Sequence, residues 1–192
     1  MTARIVILAR FPVAGQCKTR LIPALGPEGA AEMHRKLAEL TVARVRESGL
    51  PFTLWGTGAD EDAFTEWLGP LDFQEQPAGD LGERLALASD PAPVIFLGTD
   101  CPDLSPSSLR KAGMASAEGR YAIGPAHDGG YWTLAIPEKA DWLFTDMPWG
   151  TERVYGETVE RMKAKGIEPE VLETLHDVDR PEDLERWPDL TQ

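Results

Sequence analysis

Cysteine is nearly missing: Cys17 and Cys101 are the only two, and they are not part of any paired spacing. That excludes a disulfide framework and a structural zinc cluster, and it fits a reducing, cytoplasmic setting. Long apolar runs are missing as well. "MTARIVILARFP" is too short for a signal sequence or a membrane span and no other window is longer, so a soluble, unanchored protein with no membrane partner is expected. Positive charge is scarce, with 19 Lys and Arg against 32 Asp and Glu, a formal net charge of −13. A broad basic face for nucleic acid is thereby excluded, and any phosphate must be met locally.

Familiar nucleotide and hydrolase signatures are absent too. "GQCKT" lacks the G-x-x-x-x-G-K-[ST] spacing, no G-x-G-x-x-G follows the first apolar run, and there is no G-x-S-x-G elbow or early Asp-x-Asp.

What is present is 192 residues, 42% hydrophobic and 27% charged, enough for one globular domain over 1–192. Short apolar runs recur at "RIVILA", "PFTLWG", "LDFQEQ", "PVIFLG", "YAIGPA" and "YWTLAI", and several read as strands buried on both faces. Helical segments lie between them. One runs from Pro27 to a stop at Gly49 with Met33, Leu37 and Leu40 on one face. "ADEDAFTEWLG" and "SPSSLRKAGMAS" follow, the latter with Ser105 as cap and Pro106 as first helical residue. A helix in "TERVYGETVERMKAKG" starts at Thr151 and places Tyr155, Val159 and Met162 together, and "PEDLERW" predicts one more short helix. Strands alternating with helices imply an α/β, Rossmann-like, doubly wound and mainly parallel sheet.

Ligands of such sheets sit beyond the carboxyl ends of the strands, so four loops hold the candidate chemistry: "RFPVAGQCKTRL", "TDCPDLS", "AHDGG" and "HDVDRPED". In the first, Gly15 with Lys18, Thr19 and Arg20 can wrap nucleotide phosphates, although a turn with solvated charges uses the same residues. In the second, Asp100 ends a strongly apolar strand, where a carboxylate can hold Mg²⁺ or Mn²⁺ against a diphosphate. Asp177 or Asp179 offers the second carboxylate; one of them is equally an N-cap. Asp128 with Gly129 and Gly130 reads as a tight hairpin or as a substrate contact in which Asp128 orients or deprotonates an acceptor. Trp149 before Thr151 reads as an acceptor cover or a core aromatic. Cys17, Cys101, His127 and His176 lie in these loops without metal-ligand spacing.

Together "ARFPVAGQCKTRLIPALG", "GDLGERL", "LGTDCPDLSP", "GPAHDGGYWTLA", "DMPWGT" and "DVDRPEDL" resemble the nucleotide-diphospho-sugar-transferase-like family, the transferase 1 type of radical-SAM/selenodomain neighbourhoods. The chain is also similar to phospholactate and molybdenum-cofactor guanylyltransferases. The resemblance implies a glycosyltransferase-A fold and a first loop that binds nucleotide with Ala9, Arg10, Phe11, Gly15, Lys18, Thr19 and Arg20. It also implies Gln76, Gly79 and Gly82 near base and ribose, and Mg²⁺ on Asp100 and Asp179. Arg180 stands where a Thr is usual. The expected function is transfer from a nucleoside triphosphate to a phosphorylated small-molecule acceptor with release of diphosphate, Lys18, Arg20, Asp100 and Asp128 being catalytic. A glycosyltransferase using a nucleotide sugar is the alternative, disfavoured by two residues rather than one between Asp100 and Asp103. A non-catalytic nucleotide-binding domain is the second alternative.

Overall fold

A computed structural model describes residues 2–191. Seven strands form one sheet: β1 (Arg4–Arg10), β2 (Phe52–Thr57), β3 (Asp72–Glu75), β4 (Val94–Leu97), β5 (Ala122–Pro125), β6 (Tyr131–Ile136) and β7 (Glu170–Val171), in the order β3-β2-β1-β4-β6-β5-β7. β6 runs antiparallel to β4 and β5, and the remaining pairs are parallel. The central strand explains why "RIVILA" is apolar without alternation. Ile5, Ile7 and Ala9 pack in one layer and Val6, with the partly buried Leu8, in the other.

The first layer holds α1 (Ile22–Ser48), α2 (Glu61–Leu68) and α4 (Pro106–Ala117), which bring Val42, Val45, Phe64, Leu109 and Ala112 onto the sheet. The second holds α3 (Leu81–Ala88) and α5 (Val154–Ala164) through Leu85, Ala88 and Met162, with Tyr155 and Val159 packed alongside. The chain is thus doubly wound, as the alternation of its elements predicts.

Local chemistry sets the helix ends. The Asp60 side chain accepts the Ala63 N–H (3.1 Å), and Ser105 accepts that of Ser108 (3.1 Å) with Pro106 next. Helix α1 begins earlier than Pro27, at Ile22, and kinks at Gly26 (φ 71°) before running to Gly49 (φ 74°). Helix α5 begins at Val154, after turns at 151–153, rather than at Thr151. "PEDLERW" forms the expected short helix as a 3₁₀ segment, Pro181–Arg186.

Helix α3 starts in the stretch expected near base and ribose, at a reciprocal capping box: Asp80 accepts the Glu83 N–H (2.8 Å) and Glu83 accepts that of Asp80 (2.8 Å). "HDGG" makes the β5–β6 hairpin.

A third apolar cluster docks the chain's last part. Val178, fully buried, joins Leu21, Ala30, Met33 and Leu37, with Leu184, Trp187 and Leu190 packed against them. Burial of a side chain of this size is worth about 1.5–3 kcal/mol, enough to fix Asp177 and Asp179 on either side of it in the chain. No helix among the described residues is long and apolar enough to cross a membrane.

Candidate functional site

Beyond Arg10 the backbone must turn sharply from the sheet into α1. Phe11 N–H donates to Thr57 O (2.8 Å), Gln16 N–H to Val13 O (3.0 Å), and Gly15 sits at φ 77°. Lys18 is itself left-handed (φ 46°, ψ 41°), a costly conformation for a residue with a Cβ.

That conformation accompanies a lysine whose side chain points into the protein. Its side chain is only 7% exposed; Nζ donates to Val178 O (2.6 Å) and forms an ion pair with Asp100. Val178 N–H in turn donates to Asp100 O (2.9 Å), so the first loop, the end of β4 and the 177–180 segment are stitched together. Arg20, 61% exposed, pairs with Asp179. The two cations singled out for phosphate and the two carboxylates singled out for metal are therefore each other's partners, and each pairing engages one carboxylate oxygen.

Neither Asp177 nor Asp179 caps the segment that follows. The Asp183 side chain does so, accepting the N–H groups of Asp179 (3.0 Å) and Arg180 (2.7 Å). Asp103 is occupied elsewhere, accepting from Trp187 Nε1 (3.1 Å).

Four carboxylates share this end of the sheet, and the titration of two shows the field they make. Burial raises the Asp100 carboxyl, but the charge and hydrogen bond of Lys18 outweigh it and hold Asp100 below its ordinary value. Asp177 lacks such a partner: burial, then the charges of Asp128 and Asp100, push it up to about 6. Burial and the Asp100 and Asp177 charges also push the Cys101 thiol up, which keeps it a neutral wall residue.

Two hollows meet at the paired charges. The larger, about 740 Å³, reaches past Asp128, Gly130, Tyr131 and Trp149 to Asp177. The smaller, about 400 Å³, is lined by Arg10, Gln16, Cys17, Thr19 and His34. Lys18, Arg20, Asp100 and Asp179 line both.

Other residues singled out by sequence do structural jobs beside the site. Phe11 sends its ring into an aromatic cluster with Phe64 and Trp67 (5.4 and 5.6 Å between centroids), and Ala9 is buried. Gln76 donates its amide to Ala9 O (3.1 Å) and Trp55 O (2.7 Å) and accepts from Arg84 (2.9 Å), tying the ends of β1 and β2 to α3. Gly79 (φ 117°) precedes the α3 cap. At Gly82 a Cβ would lie 2.5 Å from Phe144 O and 3.0 Å from Trp149 Nε1, and at Gly129 2.3 Å from Glu152 O; both glycines are demanded by close backbone approach. Asp128 accepts the Gly130 N–H (2.8 Å), the turn geometry of the hairpin, while still facing the larger hollow. Trp149 both lines that hollow and packs edge-on to Tyr131.

Sequence reasoning missed His34, which donates a ring N–H to Arg10 O (2.8 Å) from α1 and whose burial lowers its basicity. It also missed Tyr131, which lines the larger hollow, and Arg84, which donates to Gln76. No local pattern marks them, because each acts across strands or helices distant in sequence. His127 and His176 stack face to face, 3.4 Å between centroids, bridging the loops that carry Asp128 and Asp177.

Among the described residues no three His, Cys, Asp or Glu side chains form a ready metal cage. The carboxylates nevertheless suit a Mg²⁺ ion bound with phosphate, which takes one or two protein oxygens and fills its remaining positions with phosphate and water. Asp177 is raised first by its burial and then by the Asp128 and Asp100 charges beside it.

Comparisons with known proteins agree with this architecture. A protein from Desulfovibrio desulfuricans G20, provisionally named a nucleotide-diphospho-sugar transferase, superposes with a TM-score of 0.85 at 29% identity over 93% of this chain and 82% of its own. A CMP:2-keto-3-deoxy-manno-octonic acid synthetase complexed with CTP shares the fold (TM-score 0.58, 13% identity, 99% and 98% covered). So does 4-diphosphocytidyl-2C-methyl-D-erythritol synthase from Anaerococcus prevotii DSM 20548 (TM-score 0.57, 9% identity, 96% and 94% covered). None of the curated proteins matches the chain. Residues 40–151, more than half of the sequence, match the family described as "Uncharacterized protein conserved in bacteria (DUF2064)". From the first β-α crossover to the turn that carries Trp149, the chain belongs to the DUF2064 family.

Proposed function

We propose that this protein is a Mg²⁺-dependent nucleotidyltransferase, which joins the nucleotide of a nucleoside triphosphate to a phosphorylated small molecule and releases diphosphate. The observation that carries the reading is the junction of two hollows at Lys18, Arg20, Asp100 and Asp179, with one hollow on the first-loop side and the other on the Asp128–Trp149 side. A donor and an acceptor can then meet at one charged seam. The solved neighbours named for nucleotide or nucleotide-sugar transfer support a transferase with a nucleotide donor.

In this reading an acceptor phosphate oxygen attacks the α-phosphorus. A new P–O bond forms there, the bond to the β-phosphate oxygen breaks, and diphosphate leaves with the electron pair. Arg20, at the surface, turns from Asp179 to the donor phosphates, while Lys18 keeps Asp100 and the Val178 carbonyl in place and adds positive charge from below. Asp128 orients the acceptor from the opposite wall. Asp100 and Asp179 are the residues that would hold Mg²⁺, whose charge, when bound, offsets that of the diphosphate. No covalent intermediate on the protein is required.

The test is product detection by mass spectrometry with diphosphate release, using Mg²⁺, each nucleoside triphosphate and a pool of phosphorylated acceptors, beside matching nucleotide sugars. Acceptor-dependent diphosphate release that Asp100→Asn abolishes is the expected result. Sugar transfer with nucleoside diphosphate release would instead make the protein a glycosyltransferase, and metal-dependent nucleotide binding without product would make it a binding domain.

A further inference from the structure

The two cations of the seam are held in different ways. Lys18 is locked: its side chain is 7% exposed, its Nζ donates to the Val178 carbonyl (2.6 Å) as well as pairing with Asp100, and its own carbonyl accepts the Leu21 N–H (2.8 Å) at the start of the turn. Arg20 is not. Its side chain is 61% exposed, and its one hydrogen-bond partner among the described residues is the Asp179 carboxylate, itself one-third exposed. Exposure decides what each pairing costs to break. Freeing Lys18 strands an ammonium in the protein, whereas Arg20 and Asp179 can both pass to water.

Asp179 is also one of the two residues that would hold Mg²⁺. Arg20 occupies its Oδ2, and a dication bound to the same carboxylate would meet the guanidinium at close quarters. Metal and guanidinium therefore compete for one group. A polyphosphate ends the competition, because it accepts hydrogen bonds from the guanidinium while its oxygens complete the shell of the metal. Arg20 lines both hollows, so it can reach phosphate without leaving the seam.

We propose that Arg20 is an interlock: paired with Asp179 it keeps a divalent cation off the seam, and it yields the carboxylate when donor phosphates draw it away, so that metal enters with the nucleotide rather than before it. This rests on the reading of Asp100 and Asp179 as the pair that holds Mg²⁺ and of the donor as a nucleotide. Lys18 has no such freedom and supplies a constant charge. The two cations, two positions apart in the chain, thus divide the work between a fixed strut and a movable gate.

The experiment is titration calorimetry at low salt, where surface charges are least screened, on the whole protein, on Arg20→Gln and on Arg20→Lys. Two probes are used separately: Mn²⁺ without any phosphate, and inorganic tripolyphosphate in EDTA without any metal. Arg20→Gln should shift them in opposite directions, with Mn²⁺ bound about tenfold more tightly than by the unaltered protein and tripolyphosphate about tenfold more weakly. Arg20→Lys, which keeps the charge, should stay near the unaltered protein in both. Adding Asp179→Asn to Arg20→Gln should cancel the gain for Mn²⁺. An arginine that served phosphate alone would leave Mn²⁺ binding unmoved on its removal, and one that merely held the Asp179 segment in place would weaken it. Either result, or a gain that survives Asp179→Asn, overturns the interlock. Because neither probe turns over, the two readings fail separately. The opposite shifts with no diphosphate release from any donor sink the transfer reading alone, whereas Asp100-dependent transfer with unmoved Mn²⁺ binding in Arg20→Gln sinks the interlock alone.

Discussion

The Lys18–Asp100 pair is asymmetric, and the asymmetry predicts which half is harder to remove. The Lys18 side chain is 7% exposed and that of Asp100 is 48% exposed, although the carboxylate sits at the floor of the cleft. Asp100→Asn leaves an ammonium sealed in the protein with no counter-charge, its acceptors being the Val178 carbonyl and a neutral amide oxygen. Breaking a buried pair in this way costs about 3 kcal/mol. Lys18→Met leaves a carboxylate that is about half exposed and removes both interactions of the ammonium, with Asp100 and with the Val178 carbonyl, about 2 kcal/mol. The double variant removes both charges, so its loss should fall short of the sum of the single losses by about 1–3 kcal/mol. Urea unfolding measures all three, read as midpoint shifts at constant slope. If Lys18→Met costs as much as Asp100→Asn, or if the two losses simply add, Lys18 is not the buried strut described above.

Further outcomes follow from the same geometry. Asp177, raised from 3.8 to about 6, keeps its proton in the folded protein over a range in which the unfolded chain has lost it. More protons bound in the folded state means that stability contributed below pH 4 is lost as pH climbs towards 6; Asp177→Asn should flatten that part of the stability curve, and an unchanged curve refutes the coupling. Gly82→Ala places a methyl group against Phe144 O and Trp149 Nε1 and should cost about 1–3 kcal/mol while shifting Trp149 fluorescence; a neutral substitution would show that α3 is free to move. Gly15→Ala meets no neighbouring atom, so its loss, about 1 kcal/mol, should reflect backbone conformation alone and leave the unfolding slope unchanged.

Much of the fold was legible because its signals are local. Continuous apolar runs, Ser105 before Pro106 and the glycine at 49 each act within a few residues, and each stands where the pattern places it. The Asp80–Glu83 box is equally local, and it starts α3 in the stretch that the family resemblance assigns to base and ribose. The 3₁₀ form of Pro181–Arg186 was not legible, since it follows from the docking of Leu184 and Trp187 on α1 rather than from propensity.

By itself, then, the sequence determined the doubly wound α/β class and the four loops where polar residues gather at strand ends, because hydrophobic period and caps are properties of neighbouring residues. Tertiary structure alone decided that Lys18 turns inward to Asp100, that Arg20 meets Asp179 across 159 positions, that Asp177 keeps its proton to about pH 6, and that Tyr131 has no partner. Those are facts of distance and dielectric, set by which segments the packed sheet brings together, and no spacing along the chain encodes them.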